Sequence, residues 1–137
     1  DYVRGRREVD AERIVLFGHS LGAAVAIDLA SRNQSSIYAL ILNNAISSIK
    51  NTIKDRYGKF FGSILTWPLS ERWDAVEALR TMVDAAPAIS HFPRCLFQVG
   101  SKDANLKVNN AQLLQEQAMQ AKKDIKGLKI DMHQYPQ

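Results

Sequence analysis

The chain has 137 residues, the size of one small domain, and its 46% hydrophobic and 23% charged residues are typical of a soluble globular protein. The net charge of +4 is a mild basic excess, and its two small basic clusters are not interleaved with aromatic residues, so we predict no nucleic-acid partner. The single cysteine, Cys95, excludes an internal disulfide, and no stretch approaches the roughly 18 apolar residues of a membrane span.

The first predicted elements surround a glycine-serine motif. Residues 14–17 form a short apolar run of the kind found in strands that are buried on both faces. Residues 18–22 are Gly-His-Ser-Leu-Gly and fit the pattern G-x-S-x-G, and residues 21–32 predict a helix with small side chains on its first turns. A strand, a sharp turn and a helix form the context that a nucleophile-elbow motif requires.

The motif predicts a role for each of its residues. Ser20 would lie at the tip of a tight turn whose strained backbone exposes Oγ, and the N–H of Leu21 would be one oxyanion-hole donor. Gly18 and Gly22 are expected because a Cβ at either position would collide with the neighbouring strand or helix. His19 is the variable residue of the motif, and its side chain should point away from Ser20 Oγ. The alternative is a glycine-rich turn of another α/β protein in which Ser20 is an ordinary helix cap.

The next elements predict a parallel sheet and an insertion. Residues 37–43 form a second buried strand, and two apolar strands joined by a helix make a right-handed βαβ unit. Residues 46–90 carry apolar residues at helical spacing together with several aromatics, which predicts short helices inserted between strands as a small cap. Such a cap would offer an apolar wall to a pocket, or its aromatics would only pack it onto the sheet.

A second candidate catalytic residue follows the third predicted strand. Residues 94–100 form this strand, and Asp103 comes after its carboxyl end, on the side of the sheet where Ser20 is expected. The order serine then aspartate is that of α/β hydrolases, with a histidine to follow. Asp103 would orient and charge-stabilise that histidine, unless it is only a turn residue or a helix cap. A helix over 108–123 and a last strand over 128–135 complete the prediction.

The histidines predict no metal site. His91 precedes the third strand and His133 lies within the last one, so we interpret both as structural residues. No pair of histidines has metal-ligand spacing, and the glycine pattern does not match the phosphate-binding loops of nucleotide cofactors. We therefore predict neither a metal nor a cofactor.

Four stretches together resemble the α/β-hydrolase superfamily, in its Bem46-like branch. They are residues 14–26 with the Gly-His-Ser-Leu-Gly motif, residues 40–49, Arg72-Trp73-Asp74, and residues 95–103. They occur in the family's order and cover most of the chain. The motif is specific to the superfamily, whereas the other stretches are informative only in combination.

The resemblance implies a single partial α/β-hydrolase domain over residues 1–137, with parallel strands, flanking helices and the cap at 46–90. It implies a serine hydrolase in which Ser20 is the nucleophile and Asp103 the acid, acting on a small-molecule or acylated substrate. In the family the catalytic histidine follows the last strand, so we expect it beyond residue 137. The second oxyanion loop, and a membrane anchor that family members often carry, are expected before residue 1, and the isolated 137-residue piece is expected to be inactive.

The chain also departs from the family pattern. After the second strand the family usually has a Glu-Asn pair and an aromatic residue, where this chain has Asn43-Asn44-Ala45, and no acidic residue or proline follows Asp103 closely. The predicted function is hydrolysis of an ester, thioester or amide, with acyl esters and thioesters favoured. One alternative is a catalytically inactive α/β-hydrolase fold that serves in binding, for which the departures near Asp103 would be the clue. The other, a nucleotide or phosphate binder, lacks the required glycine spacing.

Overall fold

The computed structural model describes residues 2–58, 73–86, 92–100, 114, 116–120, 123 and 130–135. Its strands there are β1 (Val15–His19), β2 (Ala39–Asn43), β3 (Arg94–Gly100) and β4 (Ile130–Tyr135). Its helices include α1 (Leu21–Ser31), α2 (Ile49–Tyr57) and α3 (Ala75–Ala85), with short 3₁₀ turns at Val3–Gly5 and Gln34–Ser36. None of the helices in these residues is both long enough and apolar enough to cross a membrane.

The four strands form one sheet in the order β1-β2-β3-β4, and they are parallel, as the sequence predicts. Its register aligns His19, Asn43, Gln98 and His133 in a row across the sheet. Because parallel strands end on the same side, this row marks the edge at which the turns after β1, β2 and β3 begin. We refer to it as the carboxyl edge.

The predicted strands match those of the sheet to within two residues where both are described. β3 has the predicted bounds, whereas β1 continues beyond its apolar run through Gly18 and His19. Hydrophobicity alone predicts too early an end for this strand, because Gly18 and His19 are not apolar. Backbone pairing continues to the end of β1, where Ser20 N donates to Asn43 O at 2.9 Å.

α1 lies between the sheet and α3, and it packs against both through small side chains. Its alanines and Ile27 are almost completely buried, and they belong to one core cluster with apolar residues of β2 and α3. The members contributed by these three elements are Ala23, Ala24, Ala26, Ile27, Ala30, Leu40, Leu42, Ala75, Ala78, Leu79 and Met82. Alanine allows neighbouring backbones to approach closely, so the start of α1 is fixed relative to the sheet.

The stretch 46–90, predicted as a small cap, is described only in part. α2 and α3 lie within it, and α3 packs against α1 through its buried residues. The aromatic residues of positions 60–67 lie outside the described residues. The existence of a cap over a pocket therefore stays a prediction.

Cys95 lies in the core, on β3. Its side chain is 2% exposed, and burial raises the pKa of its thiol to about 12. The thiolate, which is the reactive form, is therefore absent at neutral pH.

Asp74 is the N-cap of α3, and its removal should weaken this helix. Its Oδ1 accepts from the backbone N–H groups of Val76 and Glu77, both at 3.0 Å. We expect Asp74→Ala to lower the free energy of unfolding by about 1 kcal/mol, because two amides at the helix start lose their acceptor. Urea denaturation of the protein would measure the loss.

Two further variants make this measurement specific to the cap. Asp74→Asn keeps the acceptor oxygen and should retain most of the stability. Asp84→Ala removes an exposed carboxylate of the same helix and should leave the free energy of unfolding within about 0.5 kcal/mol of wild type. Equal losses of unfolding free energy in Asp74→Ala and Asp84→Ala would show that the capping bonds of Asp74 do not stabilise α3.

Candidate active site

Ser20 is the single residue that connects β1 to α1. Its backbone has φ 53° and ψ −117°, a left-handed conformation that is strained for a residue with a Cβ. Its N–H donates to Asn43 O at 2.9 Å, and its carbonyl accepts from Ala23 N at 3.1 Å. These bonds hold the turn from both sides.

The side chain of Ser20 makes no capping hydrogen bond to α1. An ordinary serine N-cap has an extended backbone, and its oxygen accepts from an amide of the first turn. Ser20 has neither property. The alternative interpretation of Ser20 as an ordinary helix cap is therefore disfavoured, because no capping hydrogen bond offsets the strain of the turn.

The two glycines of the motif have different environments. A Cβ on Gly18 would lie 2.5 Å from Ala23 Cα and from Gly22 O, and 2.7 Å from Ala23 N. These are backbone atoms that cannot yield without moving α1. A Cβ on Gly22 would meet no described atom within 4 Å. The predicted collision thus holds for Gly18 and is wrong for Gly22, because that side of the first turn of α1 is exposed.

The amino end of α1 provides an electrostatic environment for an anion near Ser20. Leu21 is the first residue of the helix, where backbone N–H groups have no acceptor within the helix. No acidic side chain lies in the first turn. The positive end of the helix dipole therefore keeps its full effect beside the serine.

His19 is directed to the neighbouring strand. Its Nδ1 lies 3.2 Å from Asn43 Oδ1, and the ring is exposed at the carboxyl edge. The expectation that His19 does not serve as the base of Ser20 stays a prediction, and its contact with β2 is consistent with it.

Of the other two histidines, His133 lies among the described residues. His133 lies on β4, three strands away from β1, which corresponds to roughly 14 Å at the ordinary spacing of strands. That separation is too large for a hydrogen bond to Ser20. His91 lies outside the described residues.

Asn44 is a residue of this region whose structural role the sequence reasoning missed. It is 4% exposed and has φ 46°. Its N–H donates to Gln98 O at 2.8 Å, and its Oδ1 accepts from Gly100 N at 2.9 Å. The available signal was an asparagine directly after a strand, since asparagine is enriched at left-handed positions.

Asp103, the predicted acid, lies outside the described residues. The strand before it, β3, ends at Gly100 on the same carboxyl edge as the Ser20 turn. Within the part of the chain that the structure describes, no three histidine, cysteine, aspartate or glutamate side chains are grouped as metal ligands.

Comparison with known sequences identifies related proteins. The family model named Esterase matches residues 1–137. Protein bem46 of Schizosaccharomyces pombe is 38% identical over 91 residues, which are 66% of this chain. The match covers 27% of the length of bem46, so the chain spans only a part of that relative.

Comparison with solved structures shows the fold. The chain aligns over 99% of its length with an acylaminoacyl peptidase from Pyrococcus horikoshii, at a TM-score of 0.65 and 17% identity, covering 21% of that chain. It aligns equally far with the S-formylglutathione hydrolase FrmB from Staphylococcus aureus, at a TM-score of 0.65 and 16% identity, covering 49% of that chain. The fold is that of part of an α/β hydrolase.

Proposed function

Since the chain belongs to the Esterase family and has the fold of α/β hydrolases, we propose that it is the nucleophile-bearing part of a serine hydrolase. The proposed reaction is hydrolysis of an ester, thioester or amide, with acyl esters and thioesters favoured. The substrate would be a small molecule or an acylated group. The family match supports the ester preference, whereas the two solved neighbours support only the fold, because their identities are low.

The observation that carries this proposal is the backbone of Ser20. A serine without a capping role is held at φ 53° by hydrogen bonds from two elements, and Gly18 makes room for the close approach of α1. Strained conformations of this kind persist where the surrounding structure enforces them and are concentrated at functional sites. These observations support the proposal that the turn is a nucleophile elbow and that Ser20 is the nucleophile.

The start of α1 would stabilise the charge that develops during the reaction. Attack of Ser20 Oγ on the acyl carbonyl places negative charge on the carbonyl oxygen. The N–H of Leu21 would donate to this oxygen, and the dipole of α1 would add a favourable potential. A second donor would come from residues outside this chain.

The proton of Ser20 would pass to a histidine outside residues 1–137. Asp103 would hold this histidine in the correct tautomer and stabilise its positive charge. The histidine would then protonate the leaving group as the tetrahedral intermediate collapses to an acyl-enzyme. Water activated by the same histidine would release the acyl group and restore Ser20.

A fluorophosphonate probe would test this proposal, because it reacts covalently with an activated serine. The full-length polypeptide should form an adduct, and tandem mass spectrometry should locate it on Ser20. Ser31 and Ser36 serve as internal controls and should remain unmodified. Heat-denatured protein should not react, since the strained turn and the helix start are then lost.

The result of this experiment separates the two classes of function. An adduct that appears on Ser20 only in the folded protein supports the hydrolase. A folded full-length protein that forms no adduct contradicts it and favours a catalytically inactive fold that serves in binding.

A further inference from the structure

The carboxyl end of β2 joins the ends of both neighbouring strands. The carbonyl of Asn43 accepts from the N–H of Ser20 at the end of β1. The next residue, Asn44, bonds to β3 twice, through its N–H to Gln98 O at 2.8 Å and through its side-chain Oδ1 from Gly100 N at 2.9 Å. Two successive asparagines thus connect the serine turn to the last residue of β3.

We propose that Asn44 is a positioning residue for the serine hydrolase proposed above, on which this inference rests. By binding Gly100, it fixes the carboxyl end of β3 relative to the Ser20 turn. In the sequence the predicted acid, Asp103, follows Gly100 by three residues. The segment that leads to the predicted acid would therefore start from a position that the Asn44 side chain fixes.

The structure explains why asparagine suits this position. At φ 46° most side chains are strained, whereas asparagine and glycine adopt this region readily. Asn44 and Gly100 are both buried, so water has little access to replace the acceptor. Only a short side chain with an oxygen one carbon beyond Cβ satisfies both the backbone conformation and the buried N–H.

Two substitutions separate these requirements. Asn44→Gly keeps the backbone conformation and removes the acceptor, leaving Gly100 N without its partner. Asn44→Asp keeps an acceptor oxygen at the same distance and also tolerates the left-handed backbone. A positioning role predicts that the first variant is impaired and that the second is rescued.

Steady-state hydrolysis of a short-chain p-nitrophenyl ester by the full-length polypeptide measures this difference, alongside the rate of fluorophosphonate labelling. We expect Asn44→Gly to lower kcat and the labelling rate about 10- to 100-fold, because a small displacement of catalytic groups has effects of this size. KM should change less than about twofold, and Asn44→Asp should remain within about threefold of wild-type kcat.

Asn33→Gly is the matched control. Asn33 also makes a side-chain hydrogen bond to the backbone, from Nδ2 to Leu29 O at 2.9 Å, but it lies after the carboxyl end of α1, away from Ser20. This variant should lose an exposed hydrogen bond of the same length and keep wild-type kcat. If it loses kcat to the same extent as Asn44→Gly, the effect is one of stability and the positioning role is overturned.

The remaining outcomes also decide the question. Wild-type kcat in Asn44→Gly overturns the positioning role and leaves the proposed function intact. A wild-type protein that neither labels nor hydrolyses the ester overturns both. If Asn44→Gly does not fold, Asn44→Ser replaces it, since its hydroxyl is one bond too short for Gly100 N, and full kcat in that variant overturns the inference.

Discussion

Replacing Ser20 with alanine is expected to lower kcat for ester hydrolysis by about 10⁴- to 10⁶-fold, the range found when the nucleophile of a catalytic triad is removed. The substitution deletes only Oγ, which makes no capping bond to α1. The free energy of unfolding should therefore stay within about 0.5 kcal/mol of wild type. Assays of the full-length polypeptide would compare kcat and urea denaturation side by side.

Ser20→Gly should remove activity to the same extent and also stabilise the protein. Glycine adopts φ 53° without the steric penalty of a Cβ, so relief of strain should raise the free energy of unfolding by about 1 kcal/mol. Ser31→Gly is the control. Ser31 is the last residue of α1, and its Oγ donates to Asp28 O at 2.8 Å. There the same change removes this hydrogen bond and weakens the helix end, so it should lower the free energy of unfolding by about 1 kcal/mol.

Opposite signs at Ser20 and Ser31 would show that the serine is retained at a cost in stability, as expected for a functional residue. A destabilised Ser20→Gly variant would contradict the strain attributed to the turn. Retained hydrolysis in Ser20→Ala would contradict the assignment of Ser20 as nucleophile.

Among substitutions that add a single methyl group in this region, Gly18→Ala is expected to destabilise the protein most. The added carbon would lie 2.5 Å from two backbone atoms at the start of α1, and relief requires moving the helix away from β1. We expect a loss of about 3 kcal/mol in the free energy of unfolding, at the upper end of overpacking effects. Labelling of Ser20 should fall at least about 100-fold, because the helix start is displaced from the serine.

Gly22→Ala provides the contrasting result within the same motif. Its added carbon meets no described atom within 4 Å, and alanine is the better helix former. We expect the free energy of unfolding to rise by up to about 0.5 kcal/mol and the rate of Ser20 labelling to stay unchanged. Thermal unfolding and labelling of both variants in the full-length polypeptide would measure this. Equal losses of stability and labelling in Gly18→Ala and Gly22→Ala would contradict the difference between the two glycines.

Hydrophobic pattern alone was sufficient to predict the order of β1, α1 and β2 and the parallel sheet. Each of these depends on local runs of apolar residues and on the short connection between two strands. The end of β1 was predicted less well, because Gly18 and His19 are not apolar although they pair with β2. Strand pairing depends on two segments, so the composition of one segment predicts the ends of its strand only approximately.

Non-local contacts account for the errors at the site. The need for glycine depends on what lies near a Cβ, which is the backbone of α1 for Gly18 and open space for Gly22. The role of Asn44 depends on Gly100, 56 residues further along the chain. Neither relation leaves a periodic or compositional signal in the sequence, whereas the position of Ser20 between a strand and a helix does.

The burial of α1 between the sheet and α3 has a consequence for folding. The left-handed conformation of Ser20 is unfavourable in an isolated strand-helix segment, and it persists only when α1 is docked on both neighbours. Formation of the turn is therefore coupled to the cooperative folding transition, and it does not survive as residual local structure. The fraction of chains with a reactive Ser20 would therefore equal the fraction whose core is folded. In partly unfolded chains the same serine would be present but unreactive.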